Sequence, residues 1–130
     1  MKYRHLGNSG LEVSVIGLGT NNFGGRMEFK EAREVIFAAL DEGINFIDTA
    51  NIYSHGNSEE IIGRALVDRR DDTLMATKVG MLWEDGPHGK CGSRKHIMDS
   101  LEGSRRRLQT DNVDLFQNHR HATETPIEGT

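Results

Sequence analysis

Four short apolar runs recur along the chain at intervals of about 30 to 40 residues, the repeat of a strand–helix–strand unit. They are Val13–Leu18, Asn45–Asp48, Leu74–Val79 and Val113–Gln117. Runs this nearly continuous suit strands covered on both faces of a parallel sheet. Helical spacing fills the intervals. Ala32, Val35, Ile36, Ala39 and Leu40 form one stripe, with Gly43 as its stop. Ile61, Ile62, Ala65 and Leu66 form the next, opened by Asn57-Ser58-Glu59-Glu60, a cap followed by first-turn acids. Ser93 is placed to cap a third helix, whose stripe runs Ile97, Leu101, Ser104 and Leu108. Upstream, Leu6 and Leu11 flank a hairpin-type turn, Gly7-Asn8-Ser9-Gly10. The predicted order is a hairpin over about residues 1–15, then βα repeats over about 13–130, ending on a fourth strand. The class is α/β.

Thr125-Pro126-Ile127-Glu128 reads as a capping box with proline at the first helical position. It falls where a βα repeat places its fourth helix. The 130 residues are thus expected to hold a single incomplete domain, truncated within a repeating fold.

Composition narrows the partners. Sixteen basic against twenty acidic residues give a net charge of −4, which argues against a nucleic-acid or anionic-membrane binder. No stretch approaches the roughly 20 apolar residues of a spanning helix, and Met1–His5 leads into no signal-peptide core. The single cysteine, Cys91, allows no intrachain disulfide, and a reducing, cytoplasmic setting is expected.

Functional groups in parallel βα proteins collect at the carboxyl ends of the strands. Asp48, Lys78 and His119 close or follow apolar runs there, and Tyr53 lies in the loop after Asp48. Singly, each has a bland explanation: a loop cap, a structural ion pair, a packing phenol, a structural imidazole. Together they have a mechanism. A free tyrosine, with a pKa of about 10, is a poor proton donor near neutrality. An adjacent ammonium favours the phenolate and makes the proton easier to give. Lys78 would supply that charge, Asp48 would hold the lysine, and His119 would orient a carbonyl oxygen. The four would protonate an aldehyde or ketone oxygen as hydride arrives at carbon.

Other signals are weaker. Gly17-Leu18-Gly19 after a strand suggests a small Rossmann-like nucleotide module, with Asp48 as its ribose acid. The third glycine is replaced by Asn22, and the helix begins too late, near Glu28. His88, Cys91 and His96 fit no tetrahedral zinc spacing, so no metal is expected. Arg105-Arg106-Arg107, with Arg94 and Lys95, reads as a solvated helix face. Trp83 suits either a substrate contact or loop packing.

Longer motifs carry a family resemblance. They are Leu6-Gly7-Asn8-Ser9-Gly10-Leu11-Glu12-Val13-Ser14, Gly17-Leu18-Gly19-Thr20 and Gly43-Ile44-Asn45-Phe46-Ile47-Asp48-Thr49-Ala50 with Tyr53. Gly56–Gly63, Thr77-Lys78-Val79, Ser93–Ile97, Asp114–Arg120 and Thr125–Glu128 complete the set. The whole chain resembles the amino-terminal portion of an aldo-keto reductase, of the bacterial and potassium-channel-β-like branch. The resemblance implies a TIM (β/α)8 barrel, here an N-terminal hairpin plus about four βα strands, a half-barrel. It implies carbonyl reduction with NADPH, or NADH in its place, and no metal. The family's catalytic tetrad falls on Asp48, Tyr53, Lys78 and His119. Gly19, Thr20 and Asn21, with Asp48, match the region beside the nicotinamide ribose. Tyr53, Trp83 and His119 would meet the substrate.

The later half of such a barrel carries most of the cofactor grip, so weak or absent NADPH binding is expected of this chain alone. Arg105 on the third helix stripe, Gly103 in mid-helix and Asn112 before the fourth strand depart from the family pattern. A half-barrel exposes sheet edges, and self-association or a complementary half is expected to cover them. The alternative function is therefore a catalytically inactive half-barrel acting as an interaction module.

Overall fold

The structure is a computed structural model that describes residues 1–81, 83, 85–86, 92–123 and 125–130. Its chain begins with an antiparallel hairpin, β1 (Tyr3–His5) and β2 (Glu12–Ser14), closed by a backbone bond from Leu6 N to Leu11 O. Four parallel strands follow in consecutive order: β3 (Leu18–Gly19), β4 (Phe46–Asp48), β5 (Leu74–Val79) and β6 (Leu115–Asn118). Helices α1 (Phe29–Asp41), α2 (Asn57–Ala65) and α3 (Arg94–Leu108) make the crossovers. The class and the hairpin-plus-four-strand order agree with the sequence. A consecutive order contains no reversal point, so the Rossmann-like alternative is set aside: its sheet binds nucleotide where strand order reverses.

Strand alternation decides which side is core. Ile47 and Met75 stand in register and are 1% exposed, packed under Ala32, Ile36, Leu40, Ile61 and Ile62 of the helices. The residues between them face the other way. Phe46, Asp48, Lys78, Leu115 and Gln117 line a hollow of about 500 Å³ and are only half-buried. The helical face of the sheet is thus a finished core, and its inner face is open.

Several local expectations need correction. The run Val13–Leu18 is two elements rather than one strand. Asn45 fastens the hairpin, its Oδ1 accepting from Ser14 N at 2.8 Å and its Nδ2 donating to Glu12 O at 3.0 Å. The Ser14 hydroxyl then turns back to Ile16 O at 2.7 Å, leaving Val15 and Ile16 exposed before β3 begins. Asn57 does not cap α2. The cap position is Gly56, at φ +92°, and the Asn57 amide donates instead to Gly24 O at 3.2 Å. The Thr125–Glu128 signal yields a single 3-10 turn, Ile127–Gly129, without a side-chain cap; Pro126 is extended at ψ 145°, one residue short of the helix. Ser93 does cap α3, its Oγ accepting from His96 N at 3.3 Å. Among the described residues no helix is long and apolar enough to cross a membrane.

Candidate active site

Asp48 is the last residue of β4, and Lys78 lies near the end of the adjacent β5. Both line the hollow on the inner face: Asp48 stands in register with Ala76, and Lys78 follows two residues later on the same side of β5, within reach of the acid. The Lys78 ammonium donates to Asp48 Oδ2 at 2.6 Å and to the Thr49 carbonyl at 2.8 Å. Among the described residues its third hydrogen-bond contact is the Tyr53 phenol, with Oη at 3.4 Å and the ring centroid at 5.0 Å. An ammonium has three protons to give. Two are taken by strong acceptors, and the third points at the phenol.

His119 follows β6 and is held by its backbone, N donating to Val79 O at 2.7 Å. Its ring meets Tyr53 edge to face, centroids 5.8 Å apart. His119 Nδ1 is buried without a partner. Burial, and then the nearby positive charge of Lys78, lower its pKa below the usual 6.5, with Arg120 adding to the effect and Asp48 opposing it. The imidazole is therefore held neutral around pH 7. The structure brings Asp48, Tyr53, Lys78 and His119 together in one contact cluster.

The other singled-out residues fall differently. Gly19 is exposed on the hollow's wall, and a Cβ there would meet nothing within 4 Å. Asn21 is exposed too, whereas Thr20 is 1% exposed and its hydroxyl is committed to Asp48 O at 3.0 Å. Trp83 stacks face to face on His55, at 4.2 Å and 8°, beneath the Arg107 guanidinium. His88 and Cys91 lie outside the described residues. Among the described residues no group of three His, Cys, Asp or Glu could hold a metal ion.

A buried polar layer beneath the rim escaped the sequence reading. Ser58 Oγ lies 3.0 Å from both Thr49 Oγ1 and Thr20 O, tying α2 to the ends of β3 and β4. Glu59, 0% exposed, accepts from Thr77 Oγ1 at 2.5 Å and from Arg107 Nε at 2.7 Å. The signal was present. Ser58 lies three and four residues before Ile61 and Ile62, and Glu59 three before Ile62. Both share the apolar stripe of α2 and had to be buried.

The aldo/keto reductase family model matches residues 15–130. A probable voltage-gated potassium channel subunit beta of Oryza sativa subsp. japonica is 43% identical over 135 residues, covering 100% of this chain and 40% of that protein. The aldo-keto reductase YhdN of Bacillus subtilis is 42% identical, again over 100% of this chain and 41% of its own length. An L-glyceraldehyde 3-phosphate reductase of Escherichia coli is 38% identical over 40% of its length. Among solved structures, an aldo-keto reductase from Bacillus halodurans in its holo form superposes with a TM-score of 0.89 at 40% identity, covering 99% of this chain and 43% of that one. The chain spans about two-fifths of the length of the curated relatives it matches.

Proposed function

The chain belongs to the aldo/keto reductase family, and we propose that its strand-end cluster reduces the carbonyl of an aldehyde or ketone, with NADPH (or NADH) as the hydride donor. The observation that carries this reading is the Lys78 ammonium, fixed by Asp48 and Thr49 with its third contact on the Tyr53 phenol. The residues present fit such a cofactor on two counts. Gly19 leaves open space beside Asp48, and the His119 imidazole carries a buried nitrogen without a partner. Gly19, Asn21 and Asp48 would hold the nicotinamide-ribose end, while Thr20, whose hydroxyl, N–H and carbonyl are all engaged within the protein, would support that wall. When bound, NADPH supplies the hydride.

The chain's own residues do the rest. Tyr53 holds the proton at Oη and gives it to the carbonyl oxygen. Lys78 stabilises the negative charge that grows on Oη as the proton leaves. Asp48 keeps the ammonium charged and aimed. Neutral His119 hydrogen-bonds the carbonyl oxygen and sets its approach to Tyr53, and Trp83 would border the substrate from the following loop. Proton transfer by a positioned side chain contributes typically about 10² to 10⁴-fold, the loss expected of Tyr53→Phe. The test is NADPH oxidation by the purified chain with 4-nitrobenzaldehyde, beside Tyr53→Phe. A flat trace, with no change in NADPH fluorescence on mixing, would exclude reduction by this chain alone.

A second reading is an inactive half-barrel acting as an interaction module. Its support is the outer edges of β3 and β6, which pair with no strand among the described residues, and the open inner face between them. Self-association or a complementary half would cover those edges. Sedimentation beside the aldehyde assay separates the readings: self-association without turnover supports the module, and a folded monomer with turnover supports the reductase.

A further inference from the structure

Tyr53 is followed by two residues that backbone preference disfavours. Ser54 (φ 47°, ψ 36°) and His55 (φ 52°, ψ 49°) both lie in the left-handed region, and neither is glycine. Histidine is among the residues enriched there; serine is not. Two such residues in succession persist only where the surroundings over-determine them, and such strain clusters at working sites.

Two clamps from different loops over-determine this turn. On one side, Ser54 Oγ donates to Phe23 O at 2.8 Å, in the loop that follows β3. That loop comes close, since a Cβ on Gly25 would lie 3.0 Å from Ser54 Oγ. On the other side, the His55 ring lies flat on Trp83, in the loop that follows β5. Trp83 is backed in turn by Arg107, with its guanidinium 4.9 Å from the ring centroid and its Nε fixed on buried Glu59. Gly56 completes the fit: a Cβ there would approach Arg107 Cδ to 2.8 Å and Trp83 Cη2 to 3.3 Å. Among the described residues the polar and ring contacts of the phenol are a long one to Lys78, at 3.4 Å, and an edge-to-face one with His119. Those contacts are too weak to fix a ring that two strained residues would otherwise carry away.

We infer that Ser54 and His55 are positioning residues: clamped by the Phe23 carbonyl and the Trp83 ring, their left-handed turn holds the Tyr53 phenol on the Lys78 ammonium. The importance of that placement rests on the proposed reduction, but the placement itself can be read without turnover. The chain has two tyrosines. Tyr3 lies in the hairpin, with its hydroxyl on Gly43 O at 2.8 Å, and serves as an internal control. The full chain is labelled with 3-fluorotyrosine, and its two fluorine signals are assigned with Tyr53→Phe.

In Ser54→Ala and Trp83→Leu the Tyr53 signal shifts and broadens while the Tyr3 signal keeps its position. Trp83→Phe, which keeps a flat ring for His55, restores the native Tyr53 signal. If Ser54→Ala disturbs both signals, the chain has lost its fold, and the Trp83 pair, which leaves the turn's own residues intact, decides the matter. A native Tyr53 signal in folded Ser54→Ala and Trp83→Leu overturns the proposal, as does equal disturbance by Trp83→Leu and Trp83→Phe. In the reductase assay Ser54→Ala loses on the order of 10²-fold in kcat with KM little changed, the cost of a catalytic group displaced by about 1 Å, whereas Trp83→Leu, at a residue that would also border the substrate, is judged by the fluorine signal alone. A chain that reduces no aldehyde but shows these fluorine shifts keeps the positioning role and loses the reaction.

Discussion

Arg107 Nε meets Glu59 Oε2 at 2.7 Å, joining α3 to α2 through a carboxylate with no solvent contact. Thr77 Oγ1 donates to the other oxygen of that carboxylate, so β5 is held in the same knot one residue before Lys78. Removing one partner of a buried pair leaves the other charge stranded, at a cost of about 3–5 kcal/mol. Arg107→Met is expected to lose that much in urea unfolding. Arg107→Met with Glu59→Gln should recover a large part of it, because no buried charge remains. A double variant no more stable than the single one would show that packing of the arginine stem, not charge, holds the helices together.

Two helical glycines predict opposite outcomes. Gly63 on α2 faces the end of α3 so closely that a Cβ would lie 2.5 Å from Arg107 O and 2.8 Å from Leu108 O, both backbone atoms. Gly63→Ala should therefore destabilise by about 1–3 kcal/mol through overpacking, although alanine is the better helix former. A Cβ on Gly103 of α3 would meet the outer nitrogens of the Arg107 guanidinium, the nearest at 3.2 Å, and these need yield only a few tenths of an ångström while Nε stays on Glu59. Gly103→Ala should be neutral or stabilise by up to about 1 kcal/mol. Thermal unfolding of the two variants side by side reads the difference, and loss of stability in Gly103→Ala would mean that the guanidinium is locked in place.

These two glycines mark where sequence is legible and where it stops. Periodicity located the three helices and the sheet strands because burial on one face imposes it, as Ala32, Ile36 and Leu40 demonstrate. Strand-end placement then found Asp48, Lys78 and His119, because register carries residues at the carboxyl ends to a common rim. The split of Val13–Leu18 was not legible, because it depends on the Asn45 side chain, 31 residues away from Ser14. The position of Glu59 on the apolar stripe of α2 is legible, but its partner is not, since Arg107 arrives from α3, 48 residues on. Arg105 departs from the apolar stripe of α3; among the described residues its Nε is buried without a hydrogen-bond partner, and Glu102 lies 3.5 Å from its guanidinium. Long-range polar closure is what local pattern omits.

The Asp48–Lys78 pair predicts a split between fold and chemistry. With Asp48→Asn, the ammonium keeps Thr49 O at 2.8 Å but loses its 2.6 Å anionic acceptor. The Lys78 side chain is 13% exposed and the Asp48 side chain 32%, and the ammonium keeps the Thr49 carbonyl, so the stability loss should be smaller than that for the Arg107–Glu59 pair, whose carboxylate has no solvent contact. Activity should fall much further, because aim and charge at Tyr53 Oη both depend on that carboxylate. Aldehyde reduction measured beside urea unfolding checks this, and equal, small losses in both would make the pair structural.

His119 sets an acid limit. Its folded pKa lies below the usual 6.5, for burial first and Lys78 next, so the unfolded chain takes up this proton at higher pH than the folded one does. Stability linked to His119 is thus fully present above about pH 6.5 and declines as pH falls toward and through the lowered folded value. In the proposed reduction the same protonation would put a second positive charge beside the Lys78 ammonium and change the hydrogen bond that His119 offers the carbonyl oxygen, so the pH profile of activity should change over the same range. His119→Gln carries no titrating group there. Its unfolding free energy should fall less steeply than that of the native chain between pH 7 and pH 5, in otherwise identical buffers. Parallel curves for the two proteins would show that His119 already titrates as it does in the unfolded chain, and that the crowding by Lys78 is without consequence.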